Sequence, residues 1–285
     1  TALERWRPDA AVVSNPTSLH LEVAIPAARA GCHLLIEKPV SDRLKGMDEL
    51  QRALAAGGGR VLVGYHFRHN PGLLRARQWI GEGAIGRPVT ARAHLGEYLP
   101  DWHPWEDYRS SYAARGELGG GVVLTQSHPF DYLRWLFGEP GGIWGVTRRS
   151  GTLDLEVEDT AEAILEFNGG CLASVHLDYL QRPPQHWLEV TGDQGTLRWD
   201  ALSGAARCWT ASEGAWREQP PPAGFERNTM FLEEMRHFIA VVRGEAGPRC
   251  TLGDGIRALE IALAVRRSAE IGGRVEVRHE ERSPA

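Results

Sequence analysis

Two side chains that could move a proton stand where the chain should present them to a ligand. Lys38 follows the apolar run 32–36 and precedes Pro39, which places it at the carboxyl end of a buried strand. A lysine there could donate to a reacting oxygen or, with a pKa lowered by burial, transfer a proton. His128 opens a helical segment shortly after Gly119–Gly121, and an imidazole has a pKa near neutrality. We take both as candidate catalytic residues, against the alternatives of a solvated lysine and a helix-capping histidine.

Two neighbours of His128 could support it. Asp131 lies one helical turn further on, so it could face the same side and orient the imidazole, or make a purely structural hydrogen bond. Thr125 lies three residues before His128 and can donate and accept a hydrogen bond, but it carries no charge.

Further polar residues cluster at the ends of the predicted strands. The turn after the first strand and the end of the second are followed by a group after the third strand and by a mixed aromatic and charged loop. Their candidate members are Asn15, Pro16, Thr17, His20 and Glu37, then Tyr65, His66 and Arg68, then Tyr98, Trp102 and Arg109. Arg68 could bind a carboxylate or a phosphate, and such a loop could line a sugar or nucleotide site, or serve as a lid or an interface. Alternatively, these residues have purely structural roles in turns, helix caps and hydrogen bonds.

Alternating strands and helices should position the first of these residues. Short apolar runs bounded by breakers predict buried strands at 10–14, 32–36 and 60–65. Helical spacing separates them at 18–30 and at 41–56. This alternation predicts βαβ units on a parallel sheet.

The regular alternation of predicted strands and helices ends after His66. Helices are predicted at 71–82, from Gly119–Gly121 to Phe137, at 227–242 and at 252–271, and strands at 88–99 and repeatedly over 143–209. The fold class is therefore α/β plus α+β: part of a Rossmann-type parallel sheet, then a large, open, mostly antiparallel sheet flanked by helices.

Composition excludes several classes of protein. The 285 residues carry a formal net charge of −5, whereas nucleic-acid binders usually show a basic excess. The sequence offers no run near the roughly 18 apolar residues that span a bilayer and no secretory leader, so we expect no membrane partner. Four scattered cysteines fit a reducing cytoplasm. They lack the spacing of a zinc site, and His94 and His103 are each too isolated to predict metal ligands, so no metal is expected.

Several of these motifs occur in the order found in one family. They are Asn15-Pro16-Thr17 with His20, then Glu37-Lys38-Pro39, then the segment 64–71, then Gly119–Gly121 with His128 and Asp131. Over nearly its whole length the chain resembles the Gfo/Idh/MocA family of NAD(P)-dependent oxidoreductases. The Glu-Lys-Pro tripeptide at a strand end is the most telling of the motifs.

The resemblance implies a function and three units. The units are the C-terminal part of a Rossmann dinucleotide-binding domain over 1–70, a substrate and oligomerisation domain over 71–250, and a C-terminal helix over 251–285 that packs back toward the first. The function is hydride transfer between NAD or NADP and a sugar, polyol or sugar-nucleotide alcohol. The Asn15 turn and the Glu37–Pro39 segment would contact the cofactor, with a cis bond before Pro39. A homodimer or homotetramer is expected through the open sheet.

The sequence departs from the family pattern at two places. The glycine-rich dinucleotide fingerprint is absent, so we expect a member shortened at its N-terminus. A carboxylate usually stands three or four residues before the helix histidine, where this chain has Leu124 and Thr125. These departures leave an alternative: a non-catalytic sugar-binding or regulatory member.

Overall fold

The smaller of two β-sheets is parallel and forms the first part of the fold. The computed structural model describes residues 2–277. The strands pair in the order β1-β2-β3, all parallel. The elements of this part are α1 (Ala2–Trp6), β1 (Ala10–Val13), α2 (His20–Arg29), β2 (His33–Glu37), α3 (Met47–Gly57) and β3 (Val61–Gly64).

The parallel strands are buried as their apolar runs predicted. Leu34, Leu35 and Ile36 of β2 are almost wholly inaccessible, since helices cover a parallel sheet. The helix predicted from residue 41 begins only at Met47, so that boundary was wrong. Gly46 precedes it with φ 97°, a left-handed conformation that glycine adopts at no steric cost and that a helix interior excludes.

Among the described residues, the larger sheet has nine strands in the order β11-β10-β9-β8-β4-β7-β6-β5-β12. Its strands are β4 (Pro88–Gly96), β5 (Pro140–Arg148), β6 (Thr160–Phe167), β7 (Leu172–Asp178), β8 (Gln185–Gly192), β9 (Gly195–Asp200), β10 (Ala205–Thr210), β11 (Ala215–Gln219) and β12 (Val275–Glu276). Neighbouring strands are antiparallel except β4 and β7, which run parallel. The prediction of a mostly antiparallel sheet is confirmed.

One face of the large sheet is covered and the other is open. On β4, Ala91, Ala93 and Leu95 point into the core, while the alternate residues face outward. On β5, Trp144 and Val146 leave about half of their surface exposed. The outer surface is therefore an open sheet face with apolar side chains.

Five helices complete the second part: α4 (Pro71–Gly81), α5 (Val122–Thr125), α6 (His128–Phe137), α7 (Arg227–Arg243) and α8 (Leu252–Ile271). The single helix predicted between Gly119 and Phe137 is wrong, because the chain breaks at Gln126 and Ser127. Pro129 supplies the physical reason, since proline has no N–H to continue the helical hydrogen bonds.

Helix α8 lies against both sheets. It packs on β5, where Ser268 Oγ accepts a hydrogen bond of 2.8 Å from the Gly145 amide, and it also contacts β3. The predicted third unit, 251–285, extends beyond this helix to 278–285, which lie outside the described residues. Between residues 2 and 277, no helix combines the length and apolar character that a membrane span requires.

Candidate active site

A cavity of about 460 Å³ opens where the end of β2 meets β4, α6 and α7. Its volume is in the range of small-molecule sites. Lys38, His128, Glu37, His66 and the backbone around Thr125 contribute to its wall, so the two candidate catalytic residues share one cavity.

A backbone carbonyl at the end of α5 holds Lys38. The Lys38 Nζ donates a hydrogen bond of 2.5 Å to the carbonyl oxygen of Thr125. In a continuous helix this oxygen would accept from the amide of residue 129, but Pro129 has no N–H. The helix break therefore leaves an acceptor that the lysine fills. The bond between Lys38 and Pro39 is cis.

Charged groups of both signs surround the lysine amine. Burial lowers the pKa of Lys38, Glu37 and Glu97 oppose that shift, and the positive charge of Arg227 adds to it. Burial also raises the pKa of Glu37 and of Glu97, while nearby cations lower it. A lysine whose pKa is lowered releases its proton more easily near neutral pH.

His128 lies in an aromatic cluster of this wall. Its ring packs edge-on against Tyr65, His66 and Phe67, with centroids 4.6 to 5.7 Å apart. Burial and the positive charge of Lys38 hold the pKa of His128 well below its usual value. The imidazole is therefore neutral at pH 7, with one nitrogen able to donate and the other able to accept.

Asp131 does not orient His128. Its carboxylate accepts two hydrogen bonds from Arg68, of 2.7 and 3.0 Å, and both side chains are almost completely buried. Arg68 also donates to the Arg249 carbonyl and pairs with Asp254. These contacts occupy the guanidinium inside the protein and join α6 to the start of α8, so the expectation that Arg68 binds substrate does not fit its position.

Thr125 contributes its backbone and not its side chain. Its hydroxyl bonds to the Gly121 carbonyl and to the Tyr179 hydroxyl, inside the core. The predicted support of His128 by this hydroxyl therefore does not fit the geometry. What Thr125 supplies is the carbonyl oxygen that receives Lys38.

The other predicted substrate contacts divide into two groups. His66, Tyr98 and Trp102 line the cavity. Tyr65 is buried beneath it with its hydroxyl 3.2 Å from Ser127 Oγ, and Arg109 is exposed and paired with Asp107. For those two, the positions do not match the predicted substrate contact.

The Asn15 turn lies next to the Lys38 segment. His20 Nε2 is 2.9 Å from the Asn15 carbonyl oxygen, and burial lowers the pKa of His20 while the carbonyls of Val40 and Pro39 oppose the shift. This turn follows β1, so it stands at the same edge of the parallel sheet as Glu37. Pro16 and Thr17 belong to the same turn. Thr17 lies so close to Gly119 that a Cβ added at Gly119 would be 2.8 Å from Thr17 Cβ.

Two unpartnered polar atoms at this edge of the parallel sheet bear on whether a nicotinamide nucleotide fits there. Asn15 Oδ1 and Ser18 Oγ are buried, and neither has a hydrogen-bond partner among the described residues. Buried polar atoms without partners are uncommon and call for an explanation such as a ligand. Together with Glu37 at the end of β2, they suit the hydroxyl groups of a ribose. The residues therefore fit a cofactor placed along the carboxyl ends of the strands.

The sequence analysis did not propose several polar residues of the cavity, among them Glu97, Arg227 and His186. Glu97 follows β4, Arg227 begins α7, and His186 lies on β8 among inward-facing apolar residues. His186 carried a usable signal, since it alternates with Leu188 and Val190 on the buried face. Arg227 and Glu97 carried none, because only the tertiary fold brings them to the cavity.

The prediction that His94 is isolated is wrong. Parallel pairing of β4 with β7 sets His94 directly beside His176, and the two rings stack with centroids 4.6 Å apart. His103, by contrast, is exposed and pairs with Glu106.

Known proteins resemble the chain in both halves. Residues 2–65 match the profile of an oxidoreductase family with an NAD-binding Rossmann fold, and residues 73–198 match the GFO/IDH/MocA C-terminal domain. The 1,5-anhydro-D-fructose reductase of Ensifer adhaerens is 29% identical over 94% of this chain and 80% of its own length. Myo-inositol 2-dehydrogenase of Thermotoga maritima is 26% identical over 92% of this chain and 78% of its own.

A solved structure agrees with these relatives. The WlbA dehydrogenase of Bordetella pertussis, in complex with NADH and UDP-GlcNAcA, superposes with a TM-score of 0.79. It is 25% identical and covers 98% of this chain and 82% of its own. The resemblance inferred from the motifs is confirmed: the chain belongs to the Gfo/Idh/MocA family of oxidoreductases, with an NAD-binding Rossmann fold.

Proposed function

We propose that this protein transfers hydride between a nicotinamide cofactor and an alcohol of a sugar, polyol or sugar nucleotide. The observation that carries the proposal is Lys38, with its lowered pKa, held by the Thr125 carbonyl in the same cavity as neutral His128. Relatives named for 1,5-anhydro-D-fructose and myo-inositol support this class of substrate.

Lys38 is the residue that we assign to proton transfer. Bound nicotinamide would accept or supply the hydride. In the oxidation direction, the neutral amine of Lys38 accepts the proton of the substrate hydroxyl, and in the reduction direction its ammonium returns a proton to the carbonyl oxygen. Glu37 and Glu97 limit how far burial lowers the pKa of this amine.

His128 is the residue that we assign to orienting the substrate. Its lowered pKa makes it a poor proton carrier at neutral pH. A neutral imidazole can still donate a hydrogen bond to the reacting oxygen or accept one from it. His66 and His186, both neutral for the same reason, would contact neighbouring hydroxyls, and Tyr98 and Trp102 offer aromatic faces to the sugar ring.

Cofactor contacts are proposed for the edge of the parallel sheet. Asn15, Thr17 and Glu37 would face the ribose, and His20 and Pro39 would support the turn and the lysine. Both NAD and NADP stay candidates for this cofactor.

The arrangement of units and copies also belongs to this proposal. We divide the chain near residues 70 and 250, with α8 returning to the first unit, as the contact of α8 with β3 supports. We expect a homodimer or homotetramer through the open sheet face, supported by its exposed Trp144 and Val146. A cytoplasmic location stays predicted, supported by four cysteines that are all free and buried.

Titration with NADH and with NADPH, followed by nicotinamide fluorescence, tests the proposal. Saturable binding should be followed by NAD(P)-dependent turnover in a panel that includes 1,5-anhydro-D-fructose, myo-inositol and sugar nucleotides. If neither nucleotide binds, the proposal fails at the cofactor. If a nucleotide and a sugar bind without turnover in either direction across the panel, the protein is the non-catalytic member instead.

A further inference from the structure

Four polar side chains converge at the open face of the nine-stranded sheet, and one of them, Gln181, also lines the cavity. His94 and His176 are paired across β4 and β7, and Asp178 lies two residues further along the same face. One ligand atom from each of these three residues lies within 4.8 Å of the other two. Gln181 adds a fourth donor, because its Oε1 is 2.5 Å from His94 Nε2. We infer that His94, His176 and Asp178 bind one divalent transition-metal ion of the zinc type, with Gln181 as an additional oxygen ligand.

The surrounding residues would orient two of the ligands, His176 and Asp178, as in metal sites. His176 Nδ1 lies 2.5 Å from Glu162 Oε1, while His176 Nε2 lies 2.9 Å from Asp178 Oδ2. A carboxylate that accepts from the far nitrogen of a histidine fixes its tautomer and directs the other nitrogen at the ion. Asp178 is fixed likewise, because its Oδ1 accepts from the amides of Leu180 and Gln181.

Gly96 leaves the space that these oxygen atoms occupy. A Cβ at this position would lie 2.4 Å from both Asp178 Oδ2 and Gln181 Oε1, closer than real atoms approach. The backbone at Gly96 is extended within β4, so its conformation does not itself require glycine. The missing side chain therefore makes room for the converging carboxylate and amide.

The donor set selects the kind of ion. Two imidazoles with a carboxylate and an amide oxygen suit zinc and its neighbours in the first transition row, whereas magnesium and calcium prefer oxygen ligands alone. The ion would replace the hydrogen on His176 Nε2 that now faces Asp178, and this hydrogen would leave as a proton. Thiols do not compete, because all four cysteines are buried.

Calorimetric titration of the tag-free, chelator-treated full chain with zinc chloride tests the inference. We expect one ion per chain and a melting temperature that rises with zinc concentration, since an ion that binds only the folded state stabilises it. Replacing both imidazoles, His94→Ala with His176→Ala, should abolish binding. Circular dichroism of this variant without zinc checks that it folds.

A gentler pair of variants keeps the test decisive if that protein does not fold. Glu162 is largely exposed and touches His176 but would not touch the ion, so Glu162→Gln should weaken zinc binding about tenfold. Glu166→Gln is the matched control on the same strand and face, because Glu166 pairs with Arg274 instead, and it should leave zinc affinity unchanged.

Three results would overturn the inference. They are no saturable binding by the wild-type chain, equal weakening by Glu162→Gln and Glu166→Gln, and a stoichiometry of half an ion per chain, which would mean a site shared between two copies. None of them bears on the nicotinamide titration, so this inference and the proposed function fail independently.

Discussion

Lys38 depends on a small number of polar neighbours for its chemistry. Within residues 2–277 its Nζ has one hydrogen bond, to the Thr125 carbonyl, and the charges that act on it include Glu37, Glu97 and Arg227. A lysine held by one neutral acceptor keeps its other two hydrogen positions for a substrate.

Replacing Lys38 should remove proton transfer while leaving the fold in place. We expect Lys38→Ala to lower kcat by about 10²- to 10⁴-fold, the usual contribution of general acid–base catalysis. Lys45→Ala is the control, since Lys45 is exposed and does not line the cavity. Steady-state kinetics on the substrate found in the panel give the measurement, and equal kcat for both variants would remove Lys38 from the mechanism.

Glu234 should make the stability of the protein fall as pH rises. Burial, with the charge of Glu37 adding to it, raises the pKa of Glu234 from 4.5 to about 8. Between these two values the folded chain keeps a proton that the unfolded chain has lost. The free energy of unfolding therefore declines by about 1.4 kcal/mol per pH unit over that window, and the stabilisation is complete only below it.

The variant Glu234→Gln should remove this decline. Urea unfolding at pH 5 and at pH 8 measures it, and we expect the variant to gain stability relative to wild type at the higher pH. Glu233→Gln, at the exposed neighbour that pairs with Arg236, should keep the wild-type slope. The same slope in all three proteins would contradict the assignment.

The break between α5 and α6 is the element-level device that holds the site together. It turns the chain so that α5 ends with a free carbonyl and α6 begins with His128. Helix ends always leave carbonyls without helical partners. Here the partner of the Thr125 carbonyl is Lys38, which follows β2 of the small sheet.

Pro129 should therefore act on the site through Lys38. In Pro129→Ala a backbone N–H becomes available to compete for the Thr125 carbonyl, so we expect kcat to fall by about 10- to 10²-fold with little change in nucleotide affinity. Pro71→Ala is the matched control, since Pro71 also stands in the first turn of a helix. Wild-type kcat in Pro129→Ala would show that the break persists without proline.

Local sequence signals predicted most helices and strands, but not the tertiary contacts between them. The span 252–271 matches α8, because a capping residue, Thr251, and a terminal glycine, Gly272, mark both ends. The α5–α6 break was missed although Pro129 signals it, because the apolar spacing runs on through it. The meeting of His94 with His176 follows from a parallel pairing between strands far apart in sequence, which no local pattern encodes.

On the scale of the whole molecule, the cavity lies where the two sheets come together and the open face lies on the outer side of the larger sheet. Lys38 and Glu37 come from the small sheet, and Glu97 and His186 come from the large one. The groups that we assign to the reaction therefore all belong to one chain.

The open face should decide the size of the assembly. We expect light scattering to give the mass of a dimer or tetramer, and Val146→Asp to reduce it, because a buried charge without a partner is costly. Leu232→Asp replaces a similarly exposed apolar residue on α7 and should leave the mass unchanged. A monomeric wild-type protein would contradict the expected interface.

The main-chain character of the Lys38 anchor bears on how this family can diverge. Every residue type has a carbonyl, so drift at position 125 can exchange one side chain for another without detaching the lysine, provided that the proline four residues on is kept. For protein engineering, position 125 should therefore accept other side chains that fit the core, whereas position 129 should not accept a residue whose N–H competes with Lys38.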